Sequence, residues 1–305
     1  MSIVDLHVHS NKSDGSMSPS QLVELAVDKG LSAFALTDHD TTEGIPEAME
    51  TARKYNNALA EGKLPPLPNR KPGGLPVRPL EVIPGIEFST EYQGKDIHIL
   101  GLYIDYEASF FKAQIQAFVD SRILRNRKMC ANLQGAGIDI SYEKLLEAYP
   151  GSVITRGHYA RYMLEHGYVK SMPEAFEKYI GDHAEYYVPR EKVTPSQAIG
   201  LILKAGGLPI LAHPPLYHMS DDALDTLAGQ LTKDGLEGIE AIYSTYSPED
   251  ERQMRSLAKK YGLCISGGSD FHGATKPNLE MATGYGKLYV PEDVLLQLKT
   301  RLQKK

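Results

Sequence analysis

The sequence predicts an α/β protein in which strands alternate with helices and a helical segment interrupts the alternation. Short apolar strands and amphipathic helices alternate over residues 1–109, and the alternation resumes over residues 188–305. Residues 110–187 contain long amphipathic stretches without a convincing strand. We therefore expect a helical insertion there that covers the functional site of the α/β part. Strands joined by crossover helices are parallel, and functional groups then collect at their carboxyl ends.

The first strand carries the first candidate site residues. Residues 3–9 alternate apolar and polar side chains, and a strand places every second side chain on the same face. One face is therefore expected to carry Asp5, His7 and His9. Because imidazole is the commonest protein ligand for metals at neutral pH, the two histidines predict part of a metal site, and Asp14 follows in the next loop.

The rest of the first block continues the alternation. A helix is predicted to begin at Ser18 and Pro19, which suit the N-cap and the first helical position. The next strand ends in Asp38 and His39 and is followed by another helix. Residues 56–81 are rich in proline and lack apolar periodicity, so we expect an irregular surface segment there.

Later strands add further carboxylates and imidazoles. The segment VIPGIEFS contains Glu87, and KDIHILGLYI contains His98 among alternating apolar residues. In the second block, LPILAHPP brings His213, and SGGSDFHG brings Asp270 and His272. The last two repeat the spacing of the first histidine pair, and the small residues beside them allow close backbone approach.

The polar residues at the predicted strand ends are expected to form one cluster. Six of the chain's ten histidines are in this kind of position. The carboxyl ends of parallel strands meet at one edge of a sheet, so these side chains are expected to lie close together. The full set is His7, His9, Asp14, Asp38, His39, Glu87, His98, His213, Asp270 and His272.

Composition excludes several classes of protein. The chain has 305 residues, of which 42% are hydrophobic and 24% charged, as in ordinary globular proteins. The formal charge of -6 argues against a sequence-independent grip on long nucleic acid, and two cysteines provide neither a disulfide framework nor a cysteine-rich zinc site. No apolar run approaches the roughly 18 residues of a membrane span, and no targeting signal is recognisable, so we expect a cytoplasmic protein without a membrane partner.

Six motifs together resemble those of the polymerase and histidinol phosphatase (PHP) superfamily of metal-dependent phosphoesterases. They are DLHVHSNKSDG, LTDHDT, GIEFS with the later IHILG, TRGHYAR, LAHPP and GGSDFHG. The resemblance runs over nearly the whole chain and implies the PHP fold, a distorted seven-stranded β/α barrel with a trinuclear site. The resemblance thus implies three divalent ions per chain, and because mixed imidazole and carboxylate ligands suit Mn, Zn or Fe better than Mg or Ca, we expect these ions to be Mn, Zn or Fe.

The resemblance also implies which residues hold each metal. The first metal would be held by His7, His9, Glu87 and Asp270. Glu87 would bridge to a second metal, held also by His98 and by His158 of the insertion. The third would be held by Asp14, His39 and His272.

Two further residues are candidates for catalytic roles beside the metals. His213 is expected near the leaving group, as a metal ligand or directly behind one, and is the candidate proton donor; the alternative is a plain turn residue. Asp38 is expected to orient a neighbouring group, as carboxylates behind metal ligands do, with a metal ligand as the alternative. For His158 the alternative to a ligand is a partly buried helix histidine.

The predicted reaction is hydrolysis of a phosphate ester by a hydroxide held on divalent metals. A covalent mechanism is disfavoured because no Ser or Cys nucleophile has a base at recognisable spacing. The long insertion and TRGHYAR most resemble the branch that dephosphorylates nucleoside 3',5'-bisphosphates and trims short RNA or DNA from the 5' end. The expected partner is thus a nucleotide or short oligonucleotide, without a stable complex with long nucleic acid and without an obligate protein partner.

Arginines of the insertion are the candidates for substrate binding. Arg156 is near His158 in sequence, and its planar guanidinium suits a second phosphate; the alternative is a solvent-exposed arginine at the start of a helix. Arg190 is a second candidate. The basic stretch at residues 122–128 is predicted to be a solvated helix face, with a nucleotide-facing surface as the alternative.

Two other functions stay open at the level of sequence. A histidinol-phosphate phosphatase on the same barrel would need an acidic subsite for an amine, and the arginines near His158 argue against it. A noncatalytic metal-binding or polymerase-associated module would have lost several ligands, whereas the ligand set here is complete.

Overall fold

The strands of the described chain form one sheet in which neighbours in space are neighbours in sequence. The computed structural model describes residues 2–63, 77–181, 184–188 and 193–304. The strands are β1 (Val4–Val8), β2 (Ala33–Leu36), β3 (Glu81–Tyr92), β4 (Lys95–Leu102), β5 (Leu208–Leu211), β6 (Gly238–Tyr243) and β7 (Cys264–Gly268).

The sheet curls until its first strand meets the end of its last. Val8 and Phe271 form a parallel bridge. The His9 N–H donates to the carbonyl of Phe271 at 2.9 Å, and the Asp270 N–H donates to the carbonyl of His7 at 2.9 Å. The result is a nearly closed barrel of seven strands, which confirms the predicted fold class and brings His7, His9 and Asp270 to one seam.

Helices surround the barrel. In chain order they are α1 (Pro19–Asp28), α2 (Ile45–Ala60), α3 (Ser109–Gly135), α4 (Tyr142–Ala148), α5 (Arg156–Glu165), α6 (Met172–Ala175), α7 (Pro195–Lys204), α8 (Asp221–Lys233), α9 (Pro248–Tyr261) and α10 (Glu292–Leu302). The predicted start of α1 is confirmed, because Ser18 and Gln21 form a reciprocal capping box. Within the described residues, none of these helices has the length and apolarity to cross a membrane.

Apolar side chains form three buried clusters. One fills the barrel interior and includes Leu6, Ala35 and residues of α10, while the largest lies between the strands and the outer helices and includes Phe34 and Leu36. The alternation of Phe34, Ala35 and Leu36 between these clusters is the two-sided burial typical of strands covered by helices. The polar site residues are therefore concentrated at one end of a barrel whose walls and base are apolar.

The helices α3–α6 and a π-helical turn at Phe176–Ile180 lie between β4 and α7 and have a core of their own. The helix α3 belongs to two cores: Phe111 packs in the barrel's outer cluster, whereas Leu133 packs in the cluster of the insertion. The turn before α5 is tied to the loop after β1, since the Val153 N–H donates to the carbonyl of Lys12 at 2.9 Å. The insertion is thus attached to the barrel through α3 and through the turn before α5.

The strand β4 departs from the predicted parallel sheet. It runs antiparallel to both β3 and β5, with Ser89 opposite His98. Gln93 (φ 51°) and Gly94 (φ 77°) form the two-residue connection between β3 and β4, and two residues with positive φ suit a tight hairpin but leave no room for a crossover helix. His98 consequently lies in the first half of β4, and the reversal carries it to the edge where β3 ends.

The strand β1 contains a bulge that an alternating pattern does not predict. Its register steps from Asp5–Phe34 to Val8–Leu36, so two residues of β1 lie opposite Ala35 alone. The predicted common face of Asp5, His7 and His9 is wrong for Asp5. Its carboxylate accepts the N–H groups of Ser269 (2.8 Å) and Ala282 (2.7 Å), whereas the two imidazoles turn toward the other ligand candidates.

Closure of the barrel at β1 and β7 predicts the effect of a single methyl group. A Cβ at Gly268 would lie 2.5 Å from both the backbone nitrogen and the Cβ of His7. We therefore expect Gly268→Ala to lower the free energy of unfolding by about 1–3 kcal/mol, measured by urea denaturation. The matched control is Gly135→Ala in α3, where nothing lies within 4 Å, and which should stabilise by less than about 1 kcal/mol. Equal stability of the two variants would contradict the close contact.

Candidate metal centre

The carboxylate of Glu87 lies at the centre of the polar end of the barrel. Its Oε2 is 3.1–3.2 Å from nitrogens of three histidines, and its Oε1 is 2.8 and 3.0 Å from nitrogens of two more. Glu87 is only 1% exposed. Burial opposes its charged form, but His39, His7 and His98 outweigh this effect and hold its pKa well below the usual range. The five imidazoles belong to His7, His9, His39, His98 and His213.

The first group of ligand atoms consists of His7, His9, Asp270 and Glu87. The Nε2 atoms of the two histidines are 3.0 Å apart and lie 3.5 and 3.3 Å from Asp270 Oδ1. The other oxygen of Asp270 accepts the hydroxyl of Tyr243 at 2.6 Å and the ammonium of Lys276 at 2.5 Å. Asp270 therefore offers Oδ1 alone to this group.

Glu240 orients the ring of His7. Its Oε1 lies 3.0 Å from His7 Nδ1, and its Oε2 accepts the backbone N–H of His213 at 2.8 Å. A proton on Nδ1 leaves the Nε2 lone pair directed at the ligand group, the arrangement typical of a carboxylate behind a metal-binding histidine. Burial disfavours a charged His7, but Glu240, Glu87 and Asp270 raise its pKa well above the usual value.

A second group surrounds Asp14. His272 Nε2 is 3.2 Å from Asp14 Oδ1, His39 Nε2 is 3.9 Å from Oδ2, and His9 Nδ1 is 3.9 Å from Oδ1. One ligand atom from each of these four residues lies within 4.8 Å of the others. Burial opposes the charged form of Asp14, but His272 and His39 lower its pKa well below the usual range.

His213 lies inside the cluster rather than beside it. Its Nε2 is 3.0 Å from Glu87 Oε1, and it forms a group of possible ligands with His7 and Glu87. Glu87 also forms such a group with His39 and His98. The backbone of His213 is left-handed (φ 32°), and the following Pro214 disfavours the ordinary helical conformation at this position. The turn thereby directs the imidazole into the barrel.

His158 lies outside these groups within the described part of the chain. Its Nδ1 accepts the backbone N–H of Thr155 at 3.0 Å, which caps the start of α5. The Thr155 hydroxyl donates in turn to Asp14 Oδ2 at 3.1 Å. Burial lowers the pKa of His158 to about 4. In this structure a neutral His158 holds the helix start that supports Asp14.

Asp38 does not face the ligand atoms. It is 2% exposed and accepts the Ser10 N–H (2.7 Å), the Ser10 hydroxyl (2.6 Å) and the Ser13 hydroxyl (2.6 Å). These contacts fix the loop that follows β1 and presents Asp14. The orienting role expected of Asp38 is thus directed at this loop.

The donor set fits a group of cations. Among the described residues, buried His9 Nδ1, Asp14 Oδ1 and His213 Nδ1 make no hydrogen bond, although buried polar atoms are normally satisfied. The Nε2 atoms of His7 and His9 converge on one carboxylate oxygen, and such atoms are neighbours only if protons or cations lie between them. Imidazole and carboxylate ligands at these separations suit divalent transition metals.

A cleft of about 190 Å³ opens beside the cluster. Asp14, His39 and His98 line it on the ligand side, and Arg122, Arg125 and Arg156 line it on the side of the insertion. Arg156 pairs with Asp96 and lies 5.4 Å from the ring centre of Tyr187. Arg190 lies outside the described residues.

The prediction of a solvated basic face is wrong for two of its residues. Arg122 and Arg125 are 5% and 6% exposed, and Arg122 pairs with Asp40 and donates to the Ser89 hydroxyl at 3.3 Å. Of the four basic residues in this stretch, Arg127 and Lys128 are the exposed ones. Helix α3 directs Arg122 and Arg125 inward and Arg127 and Lys128 outward. The density of charges along the sequence cannot distinguish these two orientations.

Glu240 and Tyr243 are two of the site residues that sequence reasoning missed. Both lie on the fully buried strand β6, and Glu240 is the one charged residue in its sequence, GIEAIY. A lone carboxylate in an apolar strand is costly unless it is paired, so this signal was present in the sequence. Three buried site residues, His213, Asp270 and Asp40, also have positive φ, a strained conformation that clusters at functional sites.

Comparison with known proteins agrees with this geometry. The model of the PHP domain family matches residues 5–193. The 5'-3' exoribonuclease Rnm of Salmonella typhimurium is 33% identical over 292 residues, covering 96% of this chain and 91% of the relative. The 3',5'-nucleoside bisphosphate phosphatase of Chromobacterium violaceum is 31% identical over 273 residues, covering 89% and 88%.

A solved structure is similar over nearly its whole length. An amidohydrolase from Chromobacterium violaceum, with bound sulfate and no metal, superimposes with a TM-score of 0.80 at 29% identity, covering 98% of this chain and 97% of that one. Sequence, fold and polar cluster thus lead to one assignment: the chain belongs to the PHP family and is a metal-dependent phosphoesterase.

Proposed function

We propose that the protein hydrolyses the 3'-phosphate of nucleoside 3',5'-bisphosphates and trims short oligonucleotides from their 5' ends. The observation that carries this proposal is the shared cleft, in which three arginines face the ligand cluster. A phosphoester at the cluster and a second phosphate at the guanidinium groups would both be satisfied within one small volume. The names of the two relatives describe substrates of this class.

The proposed ligand set revises the sequence-based one at a single position. His7, His9, Glu87 and Asp270 form the first site, and Asp14, His39 and His272 form the third. His213 replaces His158 as the partner of Glu87 and His98 in the second site. Divalent ions bound there would activate water and neutralise the charge of the phosphoryl group.

The protein's own groups prepare these ligands. Because Nδ1 of His7 is paired with Glu240, Nε2 would be the atom available to a metal, and Tyr243 and Lys276 keep Oδ2 of Asp270 occupied. Glu87 offers one oxygen to each side of the cluster. With His213 among the ligands, the leaving group would have to take its proton from another donor.

The arginines of the cleft would bind the second phosphate of the substrate. Arg122 is fixed by Asp40 and Ser89, and Arg156 is fixed by Asp96 and by the rings of Phe176 and Tyr187. An oriented guanidinium binds a phosphate through two parallel hydrogen bonds. The two rings line the same cleft and offer apolar surface to the nucleoside. The same cations disfavour the amine of histidinol phosphate.

The two-phosphate proposal predicts how the substrates rank. The value of kcat/KM for adenosine 3',5'-bisphosphate should exceed that for adenosine 3'-monophosphate by about 10–100-fold, since charged hydrogen bonds contribute about 1.5–3 kcal/mol each. Arg156→Ala should abolish most of this ratio and leave the rate for the monophosphate nearly unchanged. The measurement is phosphate release from both substrates.

The control for this comparison is Arg53→Ala, which removes an exposed arginine of α2 that pairs with Glu50. It should leave both rates as they are. Equal rates for the two substrates, unaffected by Arg156→Ala, would refute recognition of the second phosphate.

The revised ligand set predicts metal contents. After loading with Mn²⁺ and dialysis, His213→Ala should retain about one ion fewer per chain than the native protein, and its activity should fall about 100-fold or more. His158→Ala should keep the native metal content, because its Nδ1 caps α5. Elemental analysis of both variants measures the metal content. If His158→Ala loses an ion and His213→Ala does not, His158 and not His213 is the ligand in the second site.

A further inference from the structure

A second group of cations lies where the insertion meets the barrel, at a place that the cleft does not include. This seam is formed by barrel residues 11–13 and 273–276 and by insertion residues 149–153 and 158–161. It is fastened by the Ser152 hydroxyl, which donates to the carbonyl of Asn11 at 2.6 Å, and by the contact of Val153 with Lys12. Its cations are Lys12, Arg161 and Lys276.

Arg161 is oriented by two contacts within the insertion and by one contact across the seam. Its guanidinium donates to Glu165 at 2.9 Å, lies 5.7 Å from the ring centre of Tyr149, and approaches the Thr275 hydroxyl at 3.5 Å. The side chain is 34% exposed, so one side of the guanidinium faces solvent. An exposed pair with Glu165 contributes little to stability, which leaves the cation available to a ligand.

The other two cations place the seam beside the ligand cluster. Lys276 follows Thr275 and reaches Oδ2 of Asp270 at 2.5 Å, while its side chain stays 36% exposed. The ammonium of Lys12 lies about 4.0 Å from where a Cβ at Gly151 would be, in the turn before α5. The seam therefore extends outward from the metal ligand Asp270 to the surface.

The cleft and the seam lie on different sides of α5. Arg156 and Arg161 are five positions apart, which at 3.6 residues per turn separates their directions by roughly 140°. Arg156 points to Asp96 in the cleft, whereas Arg161 points to Thr275. Between them, Asp14 contacts Thr155 at the start of α5 on one side and His272 on the other. An oligonucleotide whose scissile phosphate lies at the cluster would thus have the cleft arginines near the phosphate on one side. It would have the seam cations near the phosphate on the other side.

We propose that the seam binds the phosphodiester that follows the scissile linkage, so that oligonucleotides are preferred to mononucleotide bisphosphates. This inference rests on the proposed function and adds a subsite to it. A nucleoside bisphosphate has no phosphate beyond the scissile one, so it gains nothing from the seam. A 5'-phosphorylated trinucleotide has one, and the guanidinium of Arg161 matches its charge and planar geometry.

The test compares two substrates in one set of variants. Phosphate or nucleotide release is measured with adenosine 3',5'-bisphosphate and with a 5'-phosphorylated triadenylate, for the native protein loaded with Mn²⁺ and for Arg161→Gln, Lys12→Gln and Arg161→Lys. We expect Arg161→Gln to lower kcat/KM for the trinucleotide about 10-fold, mainly through KM, with no change for the bisphosphate. Lys12→Gln should act in the same direction, and Arg161→Lys should restore part of the loss.

The matched control is Arg127→Gln. Arg127 is also an arginine of the insertion that pairs with a glutamate (Glu143, 2.7 Å) and lies over a tyrosine ring (Tyr142, 5.1 Å), but it is not at the seam. It should leave both substrates unaffected. Because single-stranded substrates lose affinity in salt with a slope of about -0.7 per phosphate contact, Arg161→Gln should also flatten the salt dependence of KM for the trinucleotide.

The outcomes separate the subsite from the proposed function. Equal losses for both substrates in Arg161→Gln would show a structural role for Arg161 and overturn the inference. Turnover of the bisphosphate without turnover of the trinucleotide would do the same while leaving the phosphatase proposal intact. Turnover of neither substrate would overturn both.

Discussion

Burial of the Glu87 carboxylate among five imidazoles is the constraint on which the rest of this structure depends. A buried carboxylate costs several kcal/mol unless it is paired, and a group of imidazoles compensates it only with protons or cations. Glu87 therefore makes this end of the barrel a receptor for positive charge. The same concentration of ligand atoms explains why, among the described residues, several buried nitrogen and oxygen atoms of this cluster make no hydrogen bond.

Two distortions of the barrel supply this arrangement. The bulge in β1 changes the phase of its side chains, so that His7 and His9 meet at Glu87 while Asp5 holds the loop after β7. The reversal of β4 brings His98 beside the end of β3. A regular parallel barrel would place its ligands only at carboxyl ends of strands, and in this fold the irregular elements complete the set.

The insertion contributes charge on two sides of the cluster. The helix α3 carries Arg122 and Arg125 into the cleft, and α5 carries Arg156 and Arg161 in different directions. Because α3 packs in both the barrel core and the insertion core, these cations have a fixed distance from the ligands. The barrel thus carries the ligand candidates, and the packing of the insertion against it sets where the cations of the cleft lie.

The sequence alone determined the fold class, the family resemblance and most of the residues that meet around Glu87, because polar residues at the ends of apolar strands have little structural reason to be there. It did not determine that His213 enters the cluster while His158 caps a helix, since both are histidines beside a turn. It also did not separate Arg122 and Arg125 from Arg127. These choices depend on strand direction, backbone conformation and the rotation of helices against the barrel, and those are decided by packing between residues far apart in the chain.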